Sequence, residues 1–362
     1  MPDIPIMRPK LPVAERLGKY LRQIDQSRIY SNFGPLTRSL EDRLATRYGL
    51  EAGTVTSVAN ATLGLTLALV VQGAKPGTLC AMPAWTFVAS AHAAVNAGLV
   101  PYFIDVDPES WSLDASAVVD HIARAPAPVG AVMPVAPFGR PVDVSAWDAF
   151  RTETGVCVVI DSAAGFDSLI PGATPAVVSL HATKVLGTGE GGLVVCTDPS
   201  IVRDVRTTSN FGLDPDRKAT VPATNAKFSE YHAAVGHAAL DQWSETRAEW
   251  MSVAGAYRSA LGRSNRVRLQ DGFGETWVSS TCVLRANDSA AIRIERALAA
   301  AGIETRHWWG KGAHLHPATA HFPRGPLPAT EALANATFAV PLYRDLDIAE
   351  VGRVAEIMLA AA

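Results

Sequence analysis

The stretch VVSLHATKVLGTGEGGLVV, Val177 to Val195, decides how this chain is read. It carries one lysine, Lys184, between two runs of β-type residues, and glycines follow at once. Gly187, Gly189 and Gly192 satisfy the G-x-G-x-x-G spacing of dinucleotide-binding loops. That spacing binds pyrophosphate only where the glycines leave a strand and open a helix, whose first N–H groups meet the phosphates. Here Gly191 and Gly192 run straight into Leu193-Val194-Val195-Cys196, a strand-type segment. The glycines are therefore expected to join two strands, and a nicotinamide dehydrogenase is the weakest reading.

Upstream of this element the pattern alternates. Strand-type runs at 79–82, 100–106, 130–136 and 156–161 are separated by Ala-rich stretches long enough for helices. That order predicts βαβ units and a mostly parallel sheet covered on both faces, an α/β fold. Two amphipathic helices precede it. Leu17, Tyr20, Leu21 and Ile24 recur at helical spacing, as do Leu36, Leu40 and Leu44 before a stop at Gly49. Downstream, a long helical stretch from about 229 to 261 leads into a smaller α+β pattern, with a strand near 278–285 and helices near 289–301 and 347–361. The expected division is a large domain over 1–240 and a small C-terminal domain over 241–362.

Composition excludes several functions. With 362 residues and 48% hydrophobic content the chain can bury a substantial core. Its 32 Lys+Arg against 35 Asp+Glu give a formal charge of −3, which offers no general attraction to nucleic acid or anionic membranes. No apolar run is long enough to cross a bilayer, and no signal-type segment opens the chain. Cys80, Cys157, Cys196 and Cys282 are far apart, without metal-type spacing, and three lie in apolar runs. They read as reduced thiols of a cytoplasmic protein that has no metal site.

Three features stand beside Lys184. Asp161 ends the run VCVVID, at the carboxyl end of a strand where α/β sheets gather ligands. Alone it could simply cap the next helix. Asn60-Ala61-Thr62 opens an apolar helix, and reads either as an N-cap or as an anion site. Ser179 lies five residues before the lysine. Together, a lysine able to form a Schiff base, an acid for a pyridinium nitrogen and a phosphate pocket at a helix start are the parts pyridoxal 5′-phosphate (PLP) requires. Trp85 and Phe87 are both candidates to cover a ring, or else are core.

These residues resemble those of the DegT/StrS-type aminotransferases, fold-type I PLP enzymes that aminate nucleotide-linked keto sugars. SLHATKVLGTGEGG is similar to the family's lysine element, VVIDSAAGF to its ring-nitrogen segment, and PAWTFVASAHAAVNAGLVPYFIDVDPES to its P-S-x-T-F-V-A-T-x-N-A segment. The likeness runs from about Tyr30 to the end. It implies Lys184 at the Schiff-base position, Asp161 on the ring nitrogen, and Phe87 rather than Trp85 stacked on the ring. It also implies Thr62, Ala61 and Ser179 at the phosphate, with Asn225, or Lys227, reaching it from the partner in a homodimer with shared active sites. Two departures stand out. Ala164 occupies a position where relatives have glutamine, and Trp308-Trp309, followed by Lys311 and His314, replaces a common His-Tyr. The latter four are expected to contact the substrate. Lys184 is retained where the family's sugar dehydratases carry histidine.

The resemblance implies amine transfer to a nucleotide-diphosphate keto-deoxysugar, with glutamate as donor. Another PLP reaction on the same fold, such as sugar dehydration or amino-acid cleavage, and a non-catalytic regulatory protein stay open as alternatives.

Overall fold

The computed structural model describes residues 2–262 and 264–362. Eleven strands occur among them: β1 Val55–Val58, β2 Leu79–Pro83, β3 Val100–Ile104, β4 Val129–Val132, β5 Cys157–Val158, β6 Ile160–Asp161, β7 Ala176–Ser179, β8 Gly192–Val195, β9 Val267–Leu269, β10 Cys282–Ala286 and β11 Thr337–Val340. β3-β2-β4-β5 form one parallel sheet, and β6-β7-β8-β1 a second in which β8 alone runs against its neighbours. Only Val159 separates β5 from β6, and it donates to the carbonyl of Val132 at 3.1 Å. The Asp161 N–H does the same to Pro134 at 2.8 Å, so the two sheets continue into each other.

The expected strand over 130–136 is shorter, because Pro134 has no N–H with which to extend the ladder. The expected helix over 229–261 is two helices, Glu230–Asp241 and Trp243–Leu261, broken at Gln242. Ser229 starts the first by accepting from the His232 N–H at 3.2 Å. The two N-terminal helices form as their spacing suggests, over Ala14–Ser27 and Pro35–Arg47, with Tyr20, Ile24, Leu36, Leu40 and Leu44 buried.

The helix Ala61–Val71 fixes the centre of the molecule. It is apolar nearly all round, and such a helix must be buried on both sides. Gly64 lets it sit close to the sheet, since a Cβ there would come within 2.9 Å of Val177 and 3.2 Å of Val58. Leu65, Leu67 and Leu69 are all buried, each stabilising the fold by roughly 1.5–3 kcal/mol.

β9, β10 and β11 make a separate antiparallel sheet, order β11-β10-β9, backed by the helix Asp288–Ala300, on which the helix Ile348–Ala361 packs in turn. The N-terminal segment is tied to this part. Ile4 bridges to Ile303, and the Ile6 carbonyl accepts from the Leu342 N–H at 3.1 Å.

Candidate active site

β7 and β8 are an antiparallel pair, and Lys184 lies in the loop between them. Backbone bonds close the loop from both sides: Leu180 N–H to Gly191 at 2.9 Å, Thr188 N–H to Leu180 at 2.8 Å, and Ala182 N–H to Gly189 at 2.8 Å. Gly189 adopts a left-handed φ of 99°, and a Cβ at Gly191 would lie 2.6 Å from the Phe228 ring. The glycines thus serve a tight strand-to-strand connection. No helix follows them, so there is no helix N-terminus here for pyrophosphate.

Lys184 opens into a cavity of about 530 Å³ at the carboxyl ends of the parallel strands. Asp161, Ala61, Thr62, Phe87, Ser179, Trp308 and Trp309 line the same cavity, although their sequence positions span almost 250 residues. Asp161 is only 6% exposed, so its charge has little access to water. Burial pushes its carboxyl up from the ordinary range, while Ser90, the Ala163 N–H and the Lys184 charge pull it down. Burial likewise pushes the Lys184 ammonium down, against the pull of Asp161. The two act on each other through charge, without a hydrogen bond.

The helix Ala61–Val71 presents its N-terminus to this cavity. Asn60 caps it by accepting from the Leu63 N–H at 2.9 Å. The N–H groups of Ala61 and Thr62 have no intrahelical acceptor, as in any first turn, and the helix dipole favours an anion there. β8 passes so close that a Cβ on Gly192 would stand 2.7 Å from the Ala61 nitrogen. Ser179 ends β7 beside them, its Oγ accepting from the His181 N–H at 3.2 Å.

The two aromatic candidates separate clearly. Trp85 is 2% exposed and packs edge-on against Trp309 and Phe138. Phe87 is 54% exposed on the cavity wall, with ring surface available to a ligand. Trp309 stacks on Phe138 at 3.8 Å and 21°, and Phe138 has a left-handed φ of 54°. Trp308 lies under the Arg306 guanidinium at 4.8 Å.

Four candidates lie outside the cavity. Asn225 is exposed in a loop bridged to Asn210. The Lys227 ammonium sits 4.1 Å over the ring of Phe211. Lys311 donates to the Asn335 Oδ1 at 2.7 Å. His314 is buried edge-on to Phe103, and burial lowers its pKa. Neither Lys311 nor His314 lines the cavity beside the tryptophan pair: the first is held by Asn335 and the second lies against Phe103. Ala164 does line it, with only a methyl to offer.

Sequence reasoning missed several wall residues: Met7, Arg306, Ser280, Thr281, and the His181–Thr183–Glu190 group beside the lysine. His181 Nδ1 lies 2.8 Å from Thr183 Oγ1, and its Nε2 3.7 Å from Glu190 Oε1. Ser90, which donates to Asp161 at 2.7 Å, was also missed. Its one local signal is helical i,i+4 spacing from Thr86.

A parallel sheet with one reversed strand, a lysine facing a buried aspartate and an anion-ready helix start define a fold-type I aminotransferase architecture. A model of the DegT/DnrJ/EryC1/StrS aminotransferase family matches residues 13–359, and the chain belongs to that family. It is 33% identical over 333 residues to a Mycobacterium tuberculosis protein whose name carries no activity, covering 88% of this chain and 79% of the other. It is 30% identical to the dTDP-4-amino-4,6-dideoxy-D-glucose transaminase of Shigella dysenteriae, over 71% of this chain and 70% of that one. Among solved structures, DesI in the presence of its TDP-sugar product superposes with a TM-score of 0.86 at 30% identity, covering 99% of this chain and 93% of the other. Among the described residues no helix is long and apolar enough to cross a membrane.

Proposed function

We propose that this aminotransferase uses PLP to move an amine from glutamate to a nucleotide-diphosphate keto-deoxysugar. The observation that carries the reading is the convergence of Lys184, Asp161 and the N-terminus of the helix Ala61–Val71 on one cavity. The residues present fit the cofactor. Asp161 has one donor on each oxygen, Ser90 on Oδ2 and Ala163 on Oδ1, which leaves lone pairs for a ring N–H. Thr62, Ser179 and the Ala61 N–H would hold the phosphate, and Phe87 would cover the ring.

When bound, the cofactor supplies an electron sink for the substrate's α-carbon. Asp161 would keep the ring nitrogen protonated, since an opposite charge at contact favours both charged forms. Lys184, its ammonium destabilised by burial, is suited to act as a free amine. Its Nζ would take the proton from the donor's α-carbon and, in the second half of the cycle, return one to the acceptor. Trp308 and Trp309 would form the acceptor's wall.

The substrate class is supported by the relatives, two of which are named for amino-sugar formation on dTDP and GDP carriers. Exposed Ile29, Tyr30, Phe211, Val221 and Tyr231 support a homodimer, in which Asn225 or Lys227 would reach the partner's phosphate site. Four free cysteines support a reducing, cytoplasmic setting. We place the boundary between the large and small domains at the Gln242 break. The test is a panel of nucleotide-linked keto sugars offered with glutamate. Amino-sugar product by mass, with equimolar 2-oxoglutarate, is expected; no product from any of them would overturn the substrate assignment.

A further inference from the structure

The Ser90 hydroxyl that donates to Asp161 is itself backed by a second buried hydroxyl, that of Thr86. Ser90 Oγ lies 2.7 Å from Asp161 Oδ2, and Thr86 Oγ1 lies 2.8 Å from Ser90 Oγ. Thr86 is 1% exposed and Ser90 fully buried, so no bulk water competes for these bonds. An ionised carboxylate is acceptor-only, which obliges Ser90 to donate its single proton to Oδ2. Ser90 can then only accept from Thr86, and the chain acquires one direction: Thr86 to Ser90 to Asp161. The second carboxylate oxygen is held separately, by the Ala163 N–H at 3.1 Å.

We propose that Ser90 is a positioning residue, backed by Thr86, that fixes the Asp161 carboxylate in the orientation in which its free lone pairs meet a cofactor ring nitrogen. The proposal rests on the reading of Asp161 given above. A carboxylate with one anchored oxygen can swing about its χ2 torsion; anchoring both oxygens removes that freedom. The same short segment also supplies Phe87, between Thr86 and the helix Val88–Asn96 that carries Ser90. One helix start would therefore register the ring from its face and, through the hydroxyl chain, from its edge. Lys184 is the charged side chain that acts on Asp161 across the cavity, and it lies on a different element, the β7–β8 loop.

The experiment compares Ser90→Ala, Ser90→Thr, Thr86→Val and Asp161→Asn in the full chain. The readouts are the PLP dissociation constant by absorbance titration, kcat and KM for glutamate in the first half-reaction, and the melting temperature. Hydrogen bonds to charged groups are strong enough that Ser90→Ala should raise the PLP Kd and lower kcat, each roughly ten-fold. KM for glutamate should stay near its original value, because Ser90 does not touch the donor. Ser90→Thr, which keeps the hydroxyl, should recover both losses, and Thr86→Val should move both in the same direction by less. Wild-type Kd and kcat in Ser90→Ala overturn the proposal; if that variant does not fold, the same result in Thr86→Val does. A loss that Ser90→Thr does not recover, accompanied by an equal fall in melting temperature, assigns Ser90 to packing and also overturns it. Asp161→Asn separates the levels. If it is unimpaired, the Asp161 reading itself fails; if it is crippled while Ser90→Ala is not, only the positioning role fails.

Discussion

Gly192 and Ala61 are so close that a Cβ on the first would stand 2.7 Å from the backbone nitrogen of the second. Strand β8 thereby presses on the peptide that starts the helix Ala61–Val71, and the position of that N–H depends on the absence of a side chain. Gly192→Ala should push the helix start outward and weaken PLP binding by ten-fold or more, with only a modest loss of stability, on the order of 1–3 kcal/mol for an overpacked site. Absorbance titration with PLP, set beside a urea melt, checks both parts.

Lys184→Ala should abolish transamination while leaving a folded protein that still takes up PLP through Thr62, Ser179 and Asp161. In the original chain, borohydride should fix the cofactor to Lys184, detectable as a mass increase on the peptide containing it. Label on any other lysine, or turnover by the variant, would remove Lys184 from the mechanism.

The pH dependence of the cofactor-free protein follows from Asp161. Its native pKa is raised by burial, so the native state binds a proton more readily than the unfolded chain does. The contribution to stability is fully present at low pH and declines as pH rises through the raised value. Asp161→Asn removes that penalty. The cofactor-free variant should therefore gain in melting temperature relative to the original as the pH rises, with the gap closing as the pH is lowered. Melting curves across pH 5 to 8 test the sign: a gap that widens toward low pH would contradict it.

Glu41 predicts an opposite dependence on its partner. It is 3% exposed on its side chain, accepts from the Ser57 N–H at 2.7 Å and from Ser57 Oγ at 2.8 Å, and pairs with Arg206. Burial raises its pKa and Arg206 lowers it. Arg206→Ala should cost on the order of 2 kcal/mol at neutral pH, less than for a fully buried pair because Arg206 is itself about a third exposed. The loss should shrink in acid, where Glu41 takes up a proton. Denaturant melts at pH 5 and pH 8 measure it.

The tryptophan wall gives a test of acceptor recognition. Trp309 is buried between Phe138 and Trp85, so Trp309→Ala should cost about 3–5 kcal/mol of stability. If the pair forms the acceptor's wall, KM for the keto sugar should rise several-fold while the glutamate half-reaction is unchanged. Trp308→Ala, at a less buried position, should show the kinetic effect with a smaller stability cost.

How much of this was legible beforehand depends on the range of the interaction concerned. The reading of Gly191 and Gly192 as a link between strands needed only the residues that follow them, because β-type side chains at Leu193–Val195 signal a strand locally. The helix start at Asn60 was equally local, since capping is done by the residue next to the helix. The break at Gln242 was not, because helix-forming residues stand on either side of it and no glycine or proline marks the stop. Lys311 and His314 were grouped with the tryptophans by proximity in sequence, but their side chains are taken up by Asn335 and Phe103, tertiary partners that local order does not reveal.

By itself the amino-acid order determined the alternation of strands and helices, the lysine-bearing hairpin and the capped helix start, all set by side-chain periodicity and by neighbours a few residues away. Only the tertiary structure decided that Trp85 is core while Phe87 faces the cavity, and that Ser90, 71 residues from Asp161, donates to its carboxylate. Those outcomes depend on how helices dock on the sheet, where a contact is made by segments distant in sequence and leaves no periodic trace in either one.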